Sequence, residues 1–161
     1  MRRVTIRPLG SGDRDAVVAL SLRAWEPVFA SLRSVLHGSG VFDLQYPRGW
    51  AAAQAAAVGE VCDSGRVWVA DVDGVVAGFV AVVLHTDDLM GEIHMVAVDP
   101  AFQRRGLGAG LTGFALGWMA EQGMTTAMVE TGGDPGHAPA RATYEAAGFT
   151  HLPISRYFRT L

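Results

Sequence analysis

Hydrophobic and polar positions follow two different periods along this chain. Val4 and Ile6 alternate with Thr5 and Arg7 and stop at Pro8, which predicts a short first strand. The period then lengthens. Asp13 is a suitable N-cap residue, and Val17, Leu20 and Ala24 follow at helical spacing. Pro27 suits the first turn of a helix better than its interior, so the first helix is expected to end near Trp25 and a second to start at Pro27. Val28, Leu32, Val35 and Leu36 give the second helix its apolar face, and Gly38 is its expected stop. Residues 38–49 read as a loop carrying Phe42 and Tyr46, and the Ala-rich residues 50–61 as a third helix. A strand is predicted at 66–71, a turn at Asp73-Gly74, a returning strand at 75–85, a polar loop at 86–91 and a further strand at 92–98. Residues 106–122 return to helical spacing and close at Gly123. A strand at 125–130, a breaker-rich loop at 131–136, a helix at 139–147 stopped by Gly148 and a last strand at 151–160, weakened by Pro153, complete the pattern.

Composition narrows this to a globular reading. Half of the 161 residues are hydrophobic and 18% are charged, enough for one core and one domain over residues 1–161. The longest strongly apolar run, residues 75–84, is half of what a membrane-spanning helix needs. Arg2 and Arg3 are not followed by the apolar region of a secretory leader. Cys62 is the sole cysteine, which excludes an internal disulfide and points to a reducing, cytoplasmic setting, with Cys62 as a packing residue. Net charge is −3, all 13 basic residues are Arg, and no basic stripe is interleaved with aromatics, so nucleic acid is not an expected partner. The five histidines lack ligand spacing, so no metal site is expected. Trp25, Phe29, Phe42, Tyr46 and Trp50 cluster in one region and read mainly as core or lid packing.

The stretch with the most chemistry is 95–110, where an apolar strand ends at Asp99-Pro100 and a glycine-containing loop opens a helix. The first N–H groups of a helix have no intrahelical partner, and its dipole favours an anion there. Gly106 and Gly108 let such a group approach the main chain, with Arg104 and Arg105 beside it. Gln103-Arg104-Arg105-Gly106-Leu107-Gly108, preceded by Val-Ala-Val-Asp-Pro-Ala-Phe, resembles the acyl-CoA-binding motif of the GCN5-related N-acetyltransferases (GNAT). A second stretch, residues 138–149 with Tyr144 and Gly148-Phe149, is similar to a later motif of that family, although His137 stands where the family commonly has Asn. The order of elements matches the family along nearly the whole chain. Within it, residues 95–108 are most similar to the ribosomal-protein alanine acetyltransferases.

The resemblance implies an α/β (α+β, three-layer) fold with a mixed, twisted central sheet, helices on both faces, and fourth and fifth strands that splay to admit a pantetheine arm. It implies acetyl-CoA as acyl donor, held by Val96, Ala97, Val98, Gln103, Arg104, Arg105, Gly106, Leu107, Gly108, Ala109 and His137, with the Val96 N–H facing the developing oxyanion. It further implies direct transfer of the acetyl group to an amine (small molecule or protein) within a ternary complex. Tyr144 would protonate the leaving thiolate. Glu92 lies eleven residues before Gln103, the spacing of the catalytic glutamate in histone-type members. At a strand's period of two, Glu92, His94, Val96 and Val98 share one face, so Glu92 and His94 are paired candidates for taking the amine proton. The alternative is a non-catalytic acyl-CoA sensor that keeps the cofactor loop without using Glu92 or Tyr144. Homodimers occur in the family, and this sequence does not decide the point.

Overall fold

The computed structural model describes residues 2–161. Five strands form one sheet in the order of the chain: β1 (Val4–Pro8), β2 (Arg66–Val72), β3 (Val75–His85), β4 (Met90–Val98) and β5 (Thr126–Val129). The first four pair antiparallel, and β5 runs parallel to β4, so the sheet is mixed as expected.

Helices cover both faces. On one face α1 (Arg14–Val35) and α3 (Trp50–Ser64) enclose a core of Val17, Leu20, Val58, Val69, Phe79, Ala81 and Ala97. On the other, α4 (Leu107–Glu121) buries Leu107, Leu111, Ala115 and Met119, one every four residues, against Val80, Val82 and Ile93. Gly91 permits this approach, because a Cβ there would run into the Met119 side chain. The last helix, α5 (Ala138–Ala146), lies beside α4. A short helix, α2 (Val41–Gln45), occupies part of the expected loop before α3.

Two sequence expectations are overturned. Pro27 does not divide two helices: α1 is continuous for 22 residues with Pro27 inside it. A proline interior to a helix costs about 3 kcal/mol. Here tertiary packing outweighs that, since Val17, Leu20 and Ser21 before the proline and Phe29 after it are all buried. The aromatics contribute. Phe29 stacks on Trp50 with ring centroids 4.5 Å apart and meets Tyr46 edge-on at 5.5 Å, while Trp25 leans on Phe79 at 6.1 Å. They therefore join α1, the α2 region and α3 to one another.

The second correction concerns the final strand. Residues 151–160 have no regular structure and are exposed. Pro153 has no N–H to give a ladder, and the nearest edge, β5, is only four residues long. The tail is instead tied at two points: Arg156 to Glu130 at 3.0 Å, and the Thr160 hydroxyl, donating to the Ser39 carbonyl at 2.5 Å. The sheet thus has five strands among the described residues, one fewer than expected. Smaller differences follow from the same packing. β4 begins at Met90 inside the expected polar loop, and Asp13 flanks α1 but spends its carboxylate on Arg7 and the Gly10 N–H instead of on the helix.

Candidate active site

Strand β4 is paired unevenly, and the site grows from that. On one side it follows β3 along nearly its whole length. On the other, β5 accompanies only Met90 to Ile93, the last pair being Ile93 with Val129. Beyond Ile93 the edge of β4 is open, which is the splay the resemblance implied. The Asp99 N–H donates to the Ala77 carbonyl of the neighbouring strand β3 at 2.8 Å. Main-chain direction alternates along a strand, so Ala97 and Met95 also point to β3, opposite Phe79 and Ala81. Val96 and Val98 point the other way, into the gap. Two main-chain N–H groups therefore face the space between β4 and β5. Ala97, between them, turns its N–H inward and its side chain into the α1-side core.

The gap leads to the start of α4. Asp99 caps a 3-10 turn, Pro100–Phe102, by accepting from the Ala101 N–H at 2.9 Å. The Gln103 side chain donates to the Val98 carbonyl at 3.0 Å, on the open edge. Arg104 and Gly106 adopt φ of 62° and 80°. Gly106 is the N-cap of α4 without any side-chain cap, and the first intrahelical bond runs from the Gly110 N–H to the Gly106 carbonyl. The N–H groups of Leu107, Gly108 and Ala109 are therefore left for an outside acceptor. A Cβ at Gly108 would come no nearer than 4.0 Å to Val98, which leaves room above the first turn. The arrangement suits a diphosphate at the helix N-terminus and an extended amide-bearing arm along β4.

A β-bulge separates this cradle from a cluster of titratable groups. The register steps from Ala81 opposite Met95 to Val82 opposite Ile93, so His94 is the extra residue. The expected common face of Glu92, His94, Val96 and Val98 is thereby broken. Ile93 lies with Val96 and Val98 on the α4 side, which puts Glu92 on the α1 side with Met95 and Ala97. Glu92 and His94 remain neighbours, with His94 Nδ1 3.9 Å from Glu92 Oε1. The closer partner was not anticipated. His85 Nε2, at the end of β3, is 2.7 Å from Glu92 Oε2. Glu92 sits directly opposite Val83, so His85 is its diagonal neighbour across the hairpin. The bare sequence hides this contact because it depends on the β3–β4 register.

Tyr144 is on α5, half-buried beside Phe149 with ring centroids 6.0 Å apart, and burial pushes its phenol up to about 12. His137 is engaged by another group: its Nδ1 bonds the Asp134 carboxylate. Asp134 also accepts from the Ser31 hydroxyl of α1 at 2.5 Å and from the Gly136 N–H at 3.2 Å. Burial alone would raise the Asp134 carboxyl, but the bonds from Ser31 and His137 outweigh it and hold the carboxyl below its usual range. Arg141 adds two bonds to the same loop, to the Gly132 and Asp134 carbonyls at 2.6 and 2.8 Å. At the other flank Arg23 of α1 pairs with Asp99; there too burial opposes ionisation and the Arg23 contact prevails. Helix α1 is thus pinned on both sides of the gap. These struts (Ser31, Asp134, Arg23) carry no motif of their own.

A concavity of about 400 Å³ lies elsewhere. It is lined by Arg33, Leu36, His37 and Phe42 among others and shares no residue with the cradle or the cluster. Among the described residues no group of His, Cys, Asp or Glu could hold a metal ion, and no helix is long and apolar enough to cross a membrane.

Comparison with known proteins is consistent with this geometry. The family model described as "Acetyltransferase (GNAT) family" matches residues 36–149. A mycothiol acetyltransferase of Streptomyces bingchenggensis is 30% identical over 130 residues, covering 69% of this chain and 42% of the relative. The chain spans about two fifths of that relative's length. An aminoglycoside N-acetyltransferase solved with CoA superposes with a TM-score of 0.68 at 16% identity, over 99% of this chain and 96% of the other. The ribosomal-protein-S18-alanine N-acetyltransferase of Escherichia coli superposes with a TM-score of 0.64 at 24% identity, over 94% and 80% of the two chains. At these identities the two structures speak for the fold alone.

Proposed function

This chain belongs to the acetyltransferase (GNAT) family, and from that premise we propose that it transfers an acetyl group from acetyl-CoA directly to a primary amine within a ternary complex. The observation that carries the reading is the open edge of β4. Its two outward N–H groups lead without interruption to the uncapped N-terminus of α4.

In this reading the acyl donor is a substrate laid along β4. The pyrophosphate takes the free N–H groups at Leu107, Gly108 and Ala109, next to Arg104 and Arg105. The pantetheine amides pair with the exposed edge around Val96 and Val98. As the amine nitrogen bonds to the thioester carbonyl carbon, charge collects on the carbonyl oxygen, where the Val96 N–H would meet it. The amine must reach that point without its extra proton, and Glu92 is the base that takes it. The C–S bond then breaks, the nitrogen passes the surplus proton it carries after attack to the departing sulfur, and CoA leaves as the thiol. A thiol near 8.5 is a stronger acid than a phenol at about 12. Complete proton transfer from Tyr144 to sulfur is therefore uphill. Tyr144 acts instead as a hydrogen-bond donor that keeps its proton and stabilises the departing sulfur.

The acceptor is proposed only by class. Relatives and neighbours carry names pointing to aminoglycosides, an alanine of a ribosomal protein and mycothiol. Calorimetric titration with acetyl-CoA, followed by CoA-release assays with an aminoglycoside and an alanine-initiated peptide, tests the reading. Saturable binding and amine-dependent release of CoA are expected. Absence of binding by folded protein would overturn the cofactor site. Binding without turnover of any primary amine would favour a sensor.

A further inference from the structure

We propose that His85 is a positioning residue for Glu92, fixing which carboxylate oxygen receives the amine proton; this rests on the role of Glu92 given above. The two oxygens of Glu92 are not equivalent. Oε2 is 2.7 Å from His85 Nε2, a full hydrogen bond. Oε1 is 3.9 Å from His94 Nδ1, beyond hydrogen-bond range. A carboxylate only accepts, so the proton of the first bond sits on His85 Nε2. Oε2 is then occupied and Oε1 keeps its lone pairs for the amine.

The local fold explains why such a brace is useful. Glu92 is two residues from the bulge at His94, where β4 changes its facing. A glutamate side chain has three rotatable bonds, and the adjacent Val83 is too short and apolar to restrain its carboxylate. His85 comes from the regularly paired strand β3 and reaches across the diagonal. The three side chains keep partial access to solvent, at 39% for His85, 22% for Glu92 and 43% for His94. The cluster therefore lies open to an incoming amine and is not sealed in the core.

His85→Leu, His85→Gln and Glu92→Gln, with the double variant His85→Leu/Glu92→Gln, test this, using whichever amine of the panel above turns over fastest. His85→Leu should lower kcat about tenfold with the KM for acetyl-CoA within about twofold, since the donor cradle is not touched. His85→Gln should recover most of the rate, because its side-chain amide can donate in place of Nε2–H. In the Glu92→Gln background His85→Leu should add less than about twofold. A His85→Leu rate equal to wild type beside a crippled Glu92→Gln would overturn the positioning role and spare the base. An equal loss in both backgrounds would overturn it too, by making His85 independent of Glu92. An unimpaired Glu92→Gln would instead remove the base assignment. If no amine turns over, nitrogen-15 NMR of the His85 ring decides. A proton on Nε2 in the wild type that is perturbed in Glu92→Gln is expected, and a neutral ring protonated only at Nδ1 would overturn the proposal.

Discussion

The two halves of β4 lead to parts of the site made from different materials. From Val96 onward, through Gln103 to Ala109, the site is mostly main chain: outward N–H groups, a left-handed glycine and an unfinished helix end. From Ile93 backward it is side chain, with Glu92 bonded to His85 across the hairpin and His94 beside it. The bulge at His94 is the seam. A main-chain cradle tolerates most side-chain changes and fails where the backbone itself is forced out of place. A side-chain cluster fails residue by residue. In the proposed reading the first part serves a donor that is the same in every turnover, the second the proton transfer from the acceptor.

The widest separation between the halves should come from Glu92→Gln, with turnover reduced about a hundredfold or more while calorimetric affinity for acetyl-CoA stays within about twofold. Equal losses in both quantities would erase the distinction. Gly106→Glu attacks the other half. Its side chain must sit at a φ of 80° and carries negative charge to the anion site. Affinity for acetyl-CoA should fall by about thirtyfold or more, with the circular dichroism spectrum retained.

Tyr144→Phe should lower kcat about tenfold and leave donor affinity nearly unchanged. Because burial pushes Tyr144 up to about 12, its proton stays in place through neutral pH. The ratio of wild-type to variant rates should thus be flat from about pH 6 to 10, and a ratio that falls across that range would show Tyr144 titrating. The same shift has a sign for stability. The unfolded chain loses this proton near pH 10 and the folded chain only near 12, so wild type should lose stability over that interval and Tyr144→Phe should lack that component.

The smallest effect is expected at the struts. Asp134→Asn should reduce unfolding free energy by about 1–2 kcal/mol at neutral pH, measured in urea. The Asp134 carboxyl is held low in the folded state, so its contribution is complete above about pH 4 and is lost as pH falls through the folded value. The gap between variant and wild type should close in acid. A gap that widened there would contradict the bonds from Ser31 and His137.

Much of the frame was legible because it follows local rules. The strand alternation at 66–71 and 75–85, the Asp73-Gly74 turn and the glycine loop before α4 all appear where periodicity places them. Pro27 misled because a local propensity of about 3 kcal/mol was set against burial of residues on both of its sides, which no window of sequence reveals. The last strand misled for the opposite reason. Residues 151–160 read as a last strand weakened by Pro153, but a strand exists only if a partner edge accepts it, and β5 ends after four residues.

By itself, then, the sequence determined the cradle, because a glycine at a helix start acts through the backbone of its own segment and needs no distant partner. Tertiary structure alone decided the facing of Glu92, the approach of His85 and the pinning of α1 by Arg23 and Ser31. Each of these depends on register or on chain segments brought together from far apart. One inserted residue in β4 turned Glu92 to the face opposite Val96, and strand periodicity carries no trace of that insertion.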